Sequence, residues 1–487
     1  MSQGSQGLKA RLFRVQPVDQ AADFASNPDG LKRSITFMGL LMLSVGSIVG
    51  TGIFVILGEA VPIAGPAVVL SFVLAGITCA FSALSYAELA STIPVSGSSY
   101  SYTYATMGEL VAWVCGWCLM LMYGVSVAAV AVGWSQYITE FLHLIGIDLT
   151  GPLMNAPDSG GIINLPAIIV VGLALILLTR GASESTKVNT ILVIVKIAIL
   201  LMFCVIAFTA FNAGNFEPFM PMGIAGVTGA AGLVFFSFIG FDTAATAGAE
   251  AKNPKRDLPR AIIAALIVVT LLYVLVVVAA IGAQPWQAFE GTGGEAALSK
   301  ILADIVPSAW PSIVLSVGAV ISIFSVVLAV MYGQTRILFA MSKDGLLPSV
   351  FRKVTPKRQI PLMNTIIVAV IIMLLAGFFP LGPLASATSI GTLFVFGLVN
   401  VGVIVLRKKR PDLNRGFTVP GFPVVPALGI LTCAILFFRM DVETWIVFAV
   451  WMVIGFAVYF AYGFRRSKLA DAPDTKTPTE AGKSIPK

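Results

Sequence analysis

Residues 46–54 read Gly-Ser-Ile-Val-Gly-Thr-Gly-Ile-Phe, and they lie within an apolar stretch that extends from Ile35 to Leu57. Three glycines within seven residues are poor helix formers, because each costs about 1 kcal/mol relative to alanine inside a helix. A helix that only anchors a chain in the bilayer has no use for them. A helix that unwinds at mid-membrane does, because its bare N–H and C=O groups can bind a ligand in a cavity. The stretch therefore predicts an interrupted membrane helix that lines a binding site.

The composition is that of an integral membrane protein. Of the 487 residues, 57% are hydrophobic and 11% are charged, whereas a soluble domain has about 25% charged residues. Apolar runs near the length of about 20 residues that a bilayer core requires recur along the chain. The runs lie near 35–58, 64–90, 107–138, 162–179, 188–211, 227–249, 260–283, 308–334, 362–380, 385–406, 423–438 and 443–463. They predict an all-α polytopic membrane protein with twelve transmembrane helices.

The distribution of basic residues predicts the orientation in the membrane. With the N-terminus in the cytoplasm, all but three of the 31 Lys and Arg lie on the cytoplasmic side, the exceptions being Lys196, Lys300 and Arg439. The positive-inside rule therefore predicts that both termini of this multi-pass chain are cytoplasmic. Because the net charge of +7 follows from this topology, we expect the lipid bilayer as a partner and no nucleic acid.

The sequence contains no set of residues typical of a catalytic or metal-binding site. His143 is the only histidine, which excludes a histidine-based metal site or catalytic triad. All five cysteines fall inside apolar runs, where cysteine acts as a small hydrophobic residue. We therefore predict that the chain is not an enzyme and needs no cofactor or metal.

A second apolar run, 227–249, is interrupted in the same way. Its centre reads Gly-Leu-Val-Phe-Phe-Ser-Phe-Ile-Gly-Phe-Asp-Thr over 232–243, and the predicted break lies near 237–240. Two breaks that lie five spans apart indicate two five-helix units of opposite orientation, with the last two spans as an addition.

These boundaries predict four segments. Residues 1–30 form a polar cytoplasmic segment, and residues 31–410 form the ten-helix transport core. Residues 411–465 contain the eleventh and twelfth helices. Residues 466–487 are polar and aperiodic, which predicts a disordered cytoplasmic tail.

The first break can bind an anionic group. Its N–H groups at Thr51, Gly52 and Ile53 lie at the start of the outer half-helix, where a carboxylate is favoured. Gly50 and Gly52 permit close approach of a ligand to the backbone. Alternatively, Gly46 and Gly50 have the spacing of small residues that let two membrane helices pack closely.

The second break can bind a cationic group. Carbonyl groups near Phe236, Ser237 and Ile239 can accept hydrogen bonds from an ammonium group. Since a carboxylate site and an ammonium site together fit a zwitterion, the two breaks predict an α-amino acid as the substrate.

Ionisable residues inside the spans are functional candidates, because burying a charge in the bilayer is costly. Lys196 lies about nine residues beyond Lys187, which corresponds to roughly 13 Å of helix. It can couple transport to protons, or it can be a static cation bonded to backbone carbonyls. Asp242 follows the second break and fits either a coupling role or a helix-capping role. Glu88 and Glu250 lie near cytoplasmic ends, where we expect gate or loop ion pairs.

Four motifs resemble a known family. They are the glycine motif at 46–54, Phe-Ile-Gly-Phe-Asp at 238–242, Asn-Pro-Lys-Arg-Asp-Leu-Pro-Arg-Ala-Ile at 253–262 and Tyr-Gly-Gln-Thr-Arg-Ile-Leu-Phe-Ala-Met-Ser-Lys-Asp-Gly-Leu-Leu-Pro at 332–348. Over about residues 30–465 the chain resembles the amino acid–polyamine–organocation superfamily, and most closely the bacterial relatives of the cationic amino acid transporters. The resemblance implies a LeuT-like fold with five plus five helices and alternating access. Twelve spans suggest a bacterial member, and hence the bacterial inner membrane.

The resemblance also implies roles for individual residues. Lys196 matches a fifth-span lysine that takes the place of a coupling sodium ion and is tied to proton-driven uptake. Val330 matches an eighth-span position that controls side-chain size. The substrate site is expected to comprise Ile48, Gly50, Thr51, Gly52, Met122, Phe236, Ser237, Ile239, Ile323 and Val330.

Two departures from the family pattern bear on the substrate. Relatives carry acidic residues in the third span where this chain has Cys118 and Met122, and they often have Glu-Glu where it has Ala249-Glu250. Without the third-span carboxylates, we expect a neutral, mostly apolar amino acid taken up by proton symport through a monomer. The alternatives are an amino acid or amine exchanger, a cationic amino acid permease of the same fold, and a substrate-binding nutrient sensor.

Overall fold

The computed structural model describes most of the chain, and what it describes is helical. The described residues are 12–15, 35–93, 98–148, 151–180, 186–246, 251–290, 296–355 and 360–468. Within these ranges the β pairing is an isolated bridge between Ile35 and Ala251. The predicted segments 1–30 and 466–487 lie largely outside the described residues.

We number the helices α1 to α18 in chain order. They are Phe37–Ile48, Thr51–Phe54, Ile56–Ala64, Val68–Thr92, Ser98–Thr106, Glu109–Leu144, Leu165–Thr179, Thr186–Ala207, Gly223–Val234, Thr243–Thr246, Pro254–Ala283, Ala297–Ile305, Trp310–Lys343, Leu362–Phe378, Leu381–Lys409, Val424–Phe438, Val442–Val458 and Phe464–Arg466. Eight segments of the described chain are long and apolar enough to cross a membrane, and α1, α7, α14 and α16 are shorter apolar helices. A polytopic all-α membrane protein is therefore confirmed.

Local sequence signals set the helix starts. The hydroxyl of Thr36 accepts a hydrogen bond from the N–H of Gly39 at 3.5 Å and caps α1. The side chain of Asn164 accepts one from the N–H of Ala167 at 3.1 Å, and Pro166 lies in the first turn of α7. Such caps satisfy N–H groups that have no partner within the helix.

The long helices pack into two groups, which we call group A and group B. Group A contains α1 to α4, α9 and α11, with α11 packed along α4 and α1, and α9 against α3 and α4. Group B contains α6, α7, α13 and α14, with α13 packed along α6 and α14 along α7. α8 contacts α1, α11 and α13 and therefore lies between the groups.

A buried polar network joins α4, α15 and α16. Asn400 on α15 accepts a hydrogen bond from Ser85 at 2.7 Å and donates one to Ser82 at 3.0 Å and one to the Phe396 carbonyl at 2.8 Å. Gly429 on α16 leaves the space that the Asn400 amide occupies, since an added Cβ lies 2.6 Å from the Asn400 Oδ1. The network is satisfied at every amide atom, which is the condition for a polar group to stabilise a buried helix contact.

We predict that Gly429→Ala lowers the free energy of unfolding by about 1–3 kcal/mol, because the new methyl group overlaps a hydrogen-bonded amide. Thermal unfolding of the detergent-solubilised protein measures this change. Gly397→Ala on α15 is the matched control, since a Cβ there meets no atom within 4 Å. Equal midpoints for the two variants would contradict the packing described here.

Candidate functional site

The first glycine motif interrupts its helix. α1 ends at Ile48, Val49 is extended with φ −75° and ψ 95°, and Gly50 precedes α2 with φ −151° and ψ −145°. α2 begins at Thr51, and a kink at Val55 separates it from α3. The motif therefore yields two half-helices joined by unwound backbone.

The second break faces the first. α9 ends at Val234, and a 3₁₀ turn follows over Phe235–Phe238. Ile239 is then extended, and Gly240 has φ +120°, a conformation that residues with a Cβ rarely adopt. An added Cβ at Gly240 lies 2.8 Å from the carbonyl carbon of Ser47, so the second break passes directly across the end of α1.

Glycines allow the two breaks to touch. A Cβ on Gly52 lies 2.6 Å from the Cβ of Ser237, and it is closer still to the Ser237 backbone. A Cβ on Gly50 lies 3.0 Å from the Cγ2 of Val326 on α13, and one on Gly133 of α6 overlaps the side chain of Thr51. Close approach at these positions brings α1, α2, α6, α13 and the second break to one site.

The backbone groups at the first break differ from the prediction at one position. The N–H of Ile53, predicted to be free, donates to the Gly50 carbonyl at 3.3 Å because Ile53 already lies in the first turn of α2. Thr51 and Gly52 hold the first two positions of α2, whose N–H groups have no acceptor within the helix. The Thr51 hydroxyl donates to the Val130 carbonyl at 3.3 Å and joins the break to α6.

Two of the three predicted carbonyl acceptors have a donor already. The Phe236 carbonyl accepts the N–H of Ile239 at 3.2 Å, and the Ser237 carbonyl lies 3.1 Å from the hydroxyl of Tyr273. Each carbonyl oxygen has two lone pairs, so a further donor can bind. The buried Ser237 hydroxyl has no hydrogen-bond partner among the described residues.

Tyr273 on α11 was missed in the sequence analysis. Its fully buried hydroxyl lies 2.9 Å from the Ile48 carbonyl and 3.1 Å from the Ser237 carbonyl, so one donor serves both breaks. Its position as the single tyrosine of the apolar run 260–283 is the sequence signal that could have identified it. Its partners could not be read from the sequence because they are brought together by the tertiary fold.

Lys196 lies fully buried on α8 between the two groups. Its ammonium group donates to the Gly46 carbonyl at 2.9 Å and to the Ser325 hydroxyl at 3.0 Å. The Gly46 carbonyl lies in the last turn of α1, where the break removes the usual N–H partner. Lys196 therefore links the end of α1 in group A to α13 in group B.

Asp242 lies two residues beyond Gly240 and is fully buried. Its Oδ2 accepts a hydrogen bond from the hydroxyl of Tyr123 on α6 at 2.9 Å. Met122 is adjacent to Tyr123, and eight residues, or about 12 Å of helix, separate it from Val130 at the first break. The structure therefore places Met122 at the level of Asp242 rather than at the level of Thr51.

Three apolar residues of α13, Ile323, Val326 and Val330, lie on the helix face that contacts the first break, and we call them the wall. Ile323, Val326 and Val330 are buried and lie three and four residues apart, which puts them on one helix face. Val326 is the member that contacts Gly50, and it was not among the predicted site residues. Ile48 is also buried at the end of α1.

Glu88 is separate from this site and holds a charged cluster at the end of α4. It accepts two hydrogen bonds from Arg407 on α15, one of them at 2.8 Å, and one from the N–H of Val419 at 2.7 Å. Arg415 lies 3.4 Å away. Glu250, the second predicted gate residue, lies outside the described residues.

Comparison with known proteins places the chain among transporters. A sequence model described as amino acid permease matches residues 35–458. The chain is 44% identical over 469 residues to the branched-chain amino acid permease BcaP of Bacillus subtilis (strain 168). This alignment covers 95% of the chain and all of the relative. It is 41% identical over 462 residues to the methylthioribose transporter of the same organism, covering 94% of the chain and 99% of the relative.

A more distant relative is named as a cationic amino acid transporter, the group that the sequence motifs resemble. The vacuolar cationic amino acid transporter 4 of Arabidopsis thaliana is 33% identical over 410 residues, or 82% of this chain and 68% of the relative. The predicted resemblance is thereby confirmed. The relatives' names are those of permeases and transporters, which confirms that the chain is not an enzyme.

We predict that Gly50→Ala and Gly52→Ala both lower substrate binding and thermal stability. A compensating substitution in the contacting residue should rescue Gly50→Ala but not Gly52→Ala. Val326→Ala should restore Gly50→Ala, because the Gly50 Cβ meets the end of the Val326 side chain. Ser237→Gly should not restore Gly52→Ala, because the Ser237 backbone still obstructs the Gly52 Cβ. Double-mutant cycles of ligand-induced thermal shift measure both couplings. Rescue of Gly52→Ala by Ser237→Gly would contradict the backbone contact.

Proposed function

The chain belongs to the amino acid permease family, and from that premise we propose that it takes up a neutral, mostly apolar amino acid together with a proton. In this proposal the protein has twelve spans, a LeuT-like core of five plus five helices with the eleventh and twelfth as an addition, and cytoplasmic termini. It resides in the bacterial inner membrane, and the proton gradient replaces any cofactor.

The observation that carries the proposal is the contact of the two interrupted helices at Gly52 and Ser237, each of which lies beside its break. The first N–H groups of α2 suit a carboxylate, and the carbonyls of the second break suit an ammonium group. The buried Ser237 hydroxyl, without a partner among the described residues, supplies a further polar contact for the substrate. This combination supports an α-amino acid as the class of substrate.

The wall residues support a neutral substrate. Val326 touches the first break, and Ile323 and Val330 extend the same apolar face. Between Leu110 and Thr139, α6 contains no Asp or Glu that could pair with a cationic side chain. The relative named as a branched-chain amino acid permease agrees with this chemistry.

The position of Lys196 supports proton coupling. A charged ammonium group strengthens the hydrogen bonds to Gly46 and Ser325, because charge-assisted hydrogen bonds are stronger than neutral ones. Loss of the proton weakens the link between α1 and α13. Protonation of Lys196 therefore biases the position of α1 relative to group B, and the substrate at Gly52 responds to the same movement.

We predict that Lys196→Ala abolishes proton-driven accumulation in proteoliposomes while substrate-induced thermal stabilisation is retained. The reason is that the lysine bonds the end of α1, whereas the backbone groups that suit the substrate lie at Thr51, Gly52 and Ser237. Lys300→Ala, on the separate helix α12, is the matched control and should behave as the wild type. Unchanged accumulation by Lys196→Ala would refute the coupling role. Counterflow without net uptake by the wild type would favour the exchanger.

The substrate class can be tested directly on the purified protein. We predict that valine, leucine and isoleucine raise the thermal unfolding midpoint, because the residues Ile323, Val326 and Val330 beside the first break are apolar and buried. Arginine, lysine and methylthioribose complete the panel. A response limited to arginine and lysine would identify a cationic permease, and one limited to methylthioribose would overturn the zwitterion site. Binding without flux in proteoliposomes would identify a sensor.

A further inference from the structure

The helices α16 and α17 form a hairpin that is closed at one end. A turn at Arg439–Asp441 joins them, and aromatic rings pack around this turn. The ring centroids of Phe437 and Trp445 lie 4.5 Å apart, and those of Phe437 and Phe448 lie 5.5 Å apart. The turn end of the hairpin is therefore a rigid contact between the two helices.

α16 packs along α15 and also contacts group A at α4 and α9. The Cys433 sulfur lies 3.7 Å from the Ser82 hydroxyl on α4, within the network centred on Asn400. A Cβ on Gly232 of α9 lies 3.9 Å from the Leu436 carbonyl oxygen of α16 and 2.7 Å from the sulfur of Met440, which lies in the turn. α16 thus contacts two helices of group A, α4 through Cys433 and α9 near the turn.

α17 is fixed to group B instead. The Trp117 ring on α6 donates to the Trp451 carbonyl at 2.8 Å, and the Trp451 ring donates to the Trp117 carbonyl at 3.0 Å. The two rings stack with centroids 4.7 Å apart. Trp113 donates to the Gly455 carbonyl at 3.0 Å. Reciprocal hydrogen bonds and stacking bind α17 along α6.

The segment after α17 continues this attachment. The Tyr459 hydroxyl donates to Glu109 at the start of α6 at 3.0 Å, and the Ser467 hydroxyl donates to the same carboxylate. The N–H of Lys468 donates to the Asp344 carbonyl at the end of α13 at 3.1 Å. The chain is thus bonded to both long helices of group B.

We propose that the α16–α17 hairpin is a strap between the two groups, one arm moving with group A and the other staying with group B. This inference rests on the proposed function, in which the groups move relative to each other. Because the arms are joined at Arg439–Asp441, relative movement of the groups flexes the hairpin and changes the separation of its open ends near Val424 and Phe460.

Distances between spin labels test the strap in the full-length protein. The open ends are labelled at Val424→Cys and Phe460→Cys, which are exposed positions, while the native cysteines are buried. A control pair, Met38→Cys on α1 and Met363→Cys on α14, reports movement between the groups. Double electron–electron resonance is recorded with and without L-valine, in acidic and in alkaline buffer.

We expect the control pair and the open-end pair to shift together by several ångströms between conditions. A shift of the control pair with a constant open-end distance would overturn the strap and leave the proposed function intact. A control pair that stays constant in all conditions, in protein that binds L-valine, would overturn both.

A disulfide gives an independent functional test. Ser82→Cys lies beside native Cys433, and oxidation should join α4 to α16. Since both are assigned to one moving unit, uptake should stay within twofold of the reduced protein. Oxidation that blocks uptake, with recovery on reduction, would show that α16 moves relative to α4 and would overturn the proposal.

Discussion

Backbone that unwinds inside a membrane must find its hydrogen-bond partners within the protein, because the bilayer core offers none. The break between Ile48 and Thr51 removes the usual N–H partners of the last α1 carbonyls. Lys196 donates to one of these carbonyls and Tyr273 to another. The placement of the deeply buried polar side chains on α8 and α11 follows from this single constraint.

Both groups of helices are bonded to the breaks. Tyr273 of group A donates to a carbonyl of each break. Group B is joined to the first break through the Thr51 hydroxyl, which donates to the Val130 carbonyl. It is also joined through Lys196, which donates to Ser325 and to the Gly46 carbonyl. In the proposed function, relative movement of the groups therefore changes the hydrogen bonds at the breaks. A substrate that supplies hydrogen bonds at the breaks alters the balance between arrangements, which is the energetic requirement for a ligand to shift a conformational equilibrium.

The sequence could predict the breaks and the buried lysine because both are local departures from a simple pattern. Glycines in an apolar run and a charge at mid-span are visible without knowledge of the fold. The partners were not visible, because they depend on helix rotation and depth. Val330 was assigned by resemblance, and that assignment stays a prediction, whereas the contact of Val326, one turn away on the same face, with Gly50 was not foreseen. A shift of four residues along α13 keeps a side chain on the same helix face but moves it by about one turn along the helix.

In the proposed function, the geometry of α13 links substrate selectivity to proton coupling. The breaks offer mainly backbone groups, so they are indifferent to the substrate side chain, and discrimination falls to the wall. Within that wall, Val326 touches the first break and the adjacent Ser325 accepts the Lys196 ammonium group. A displacement of this turn by a larger side chain would move the acceptor of Lys196 as well. In the proposed function, substrate size and Lys196 protonation therefore act on the same turn of α13, and a change in either is transmitted to the other.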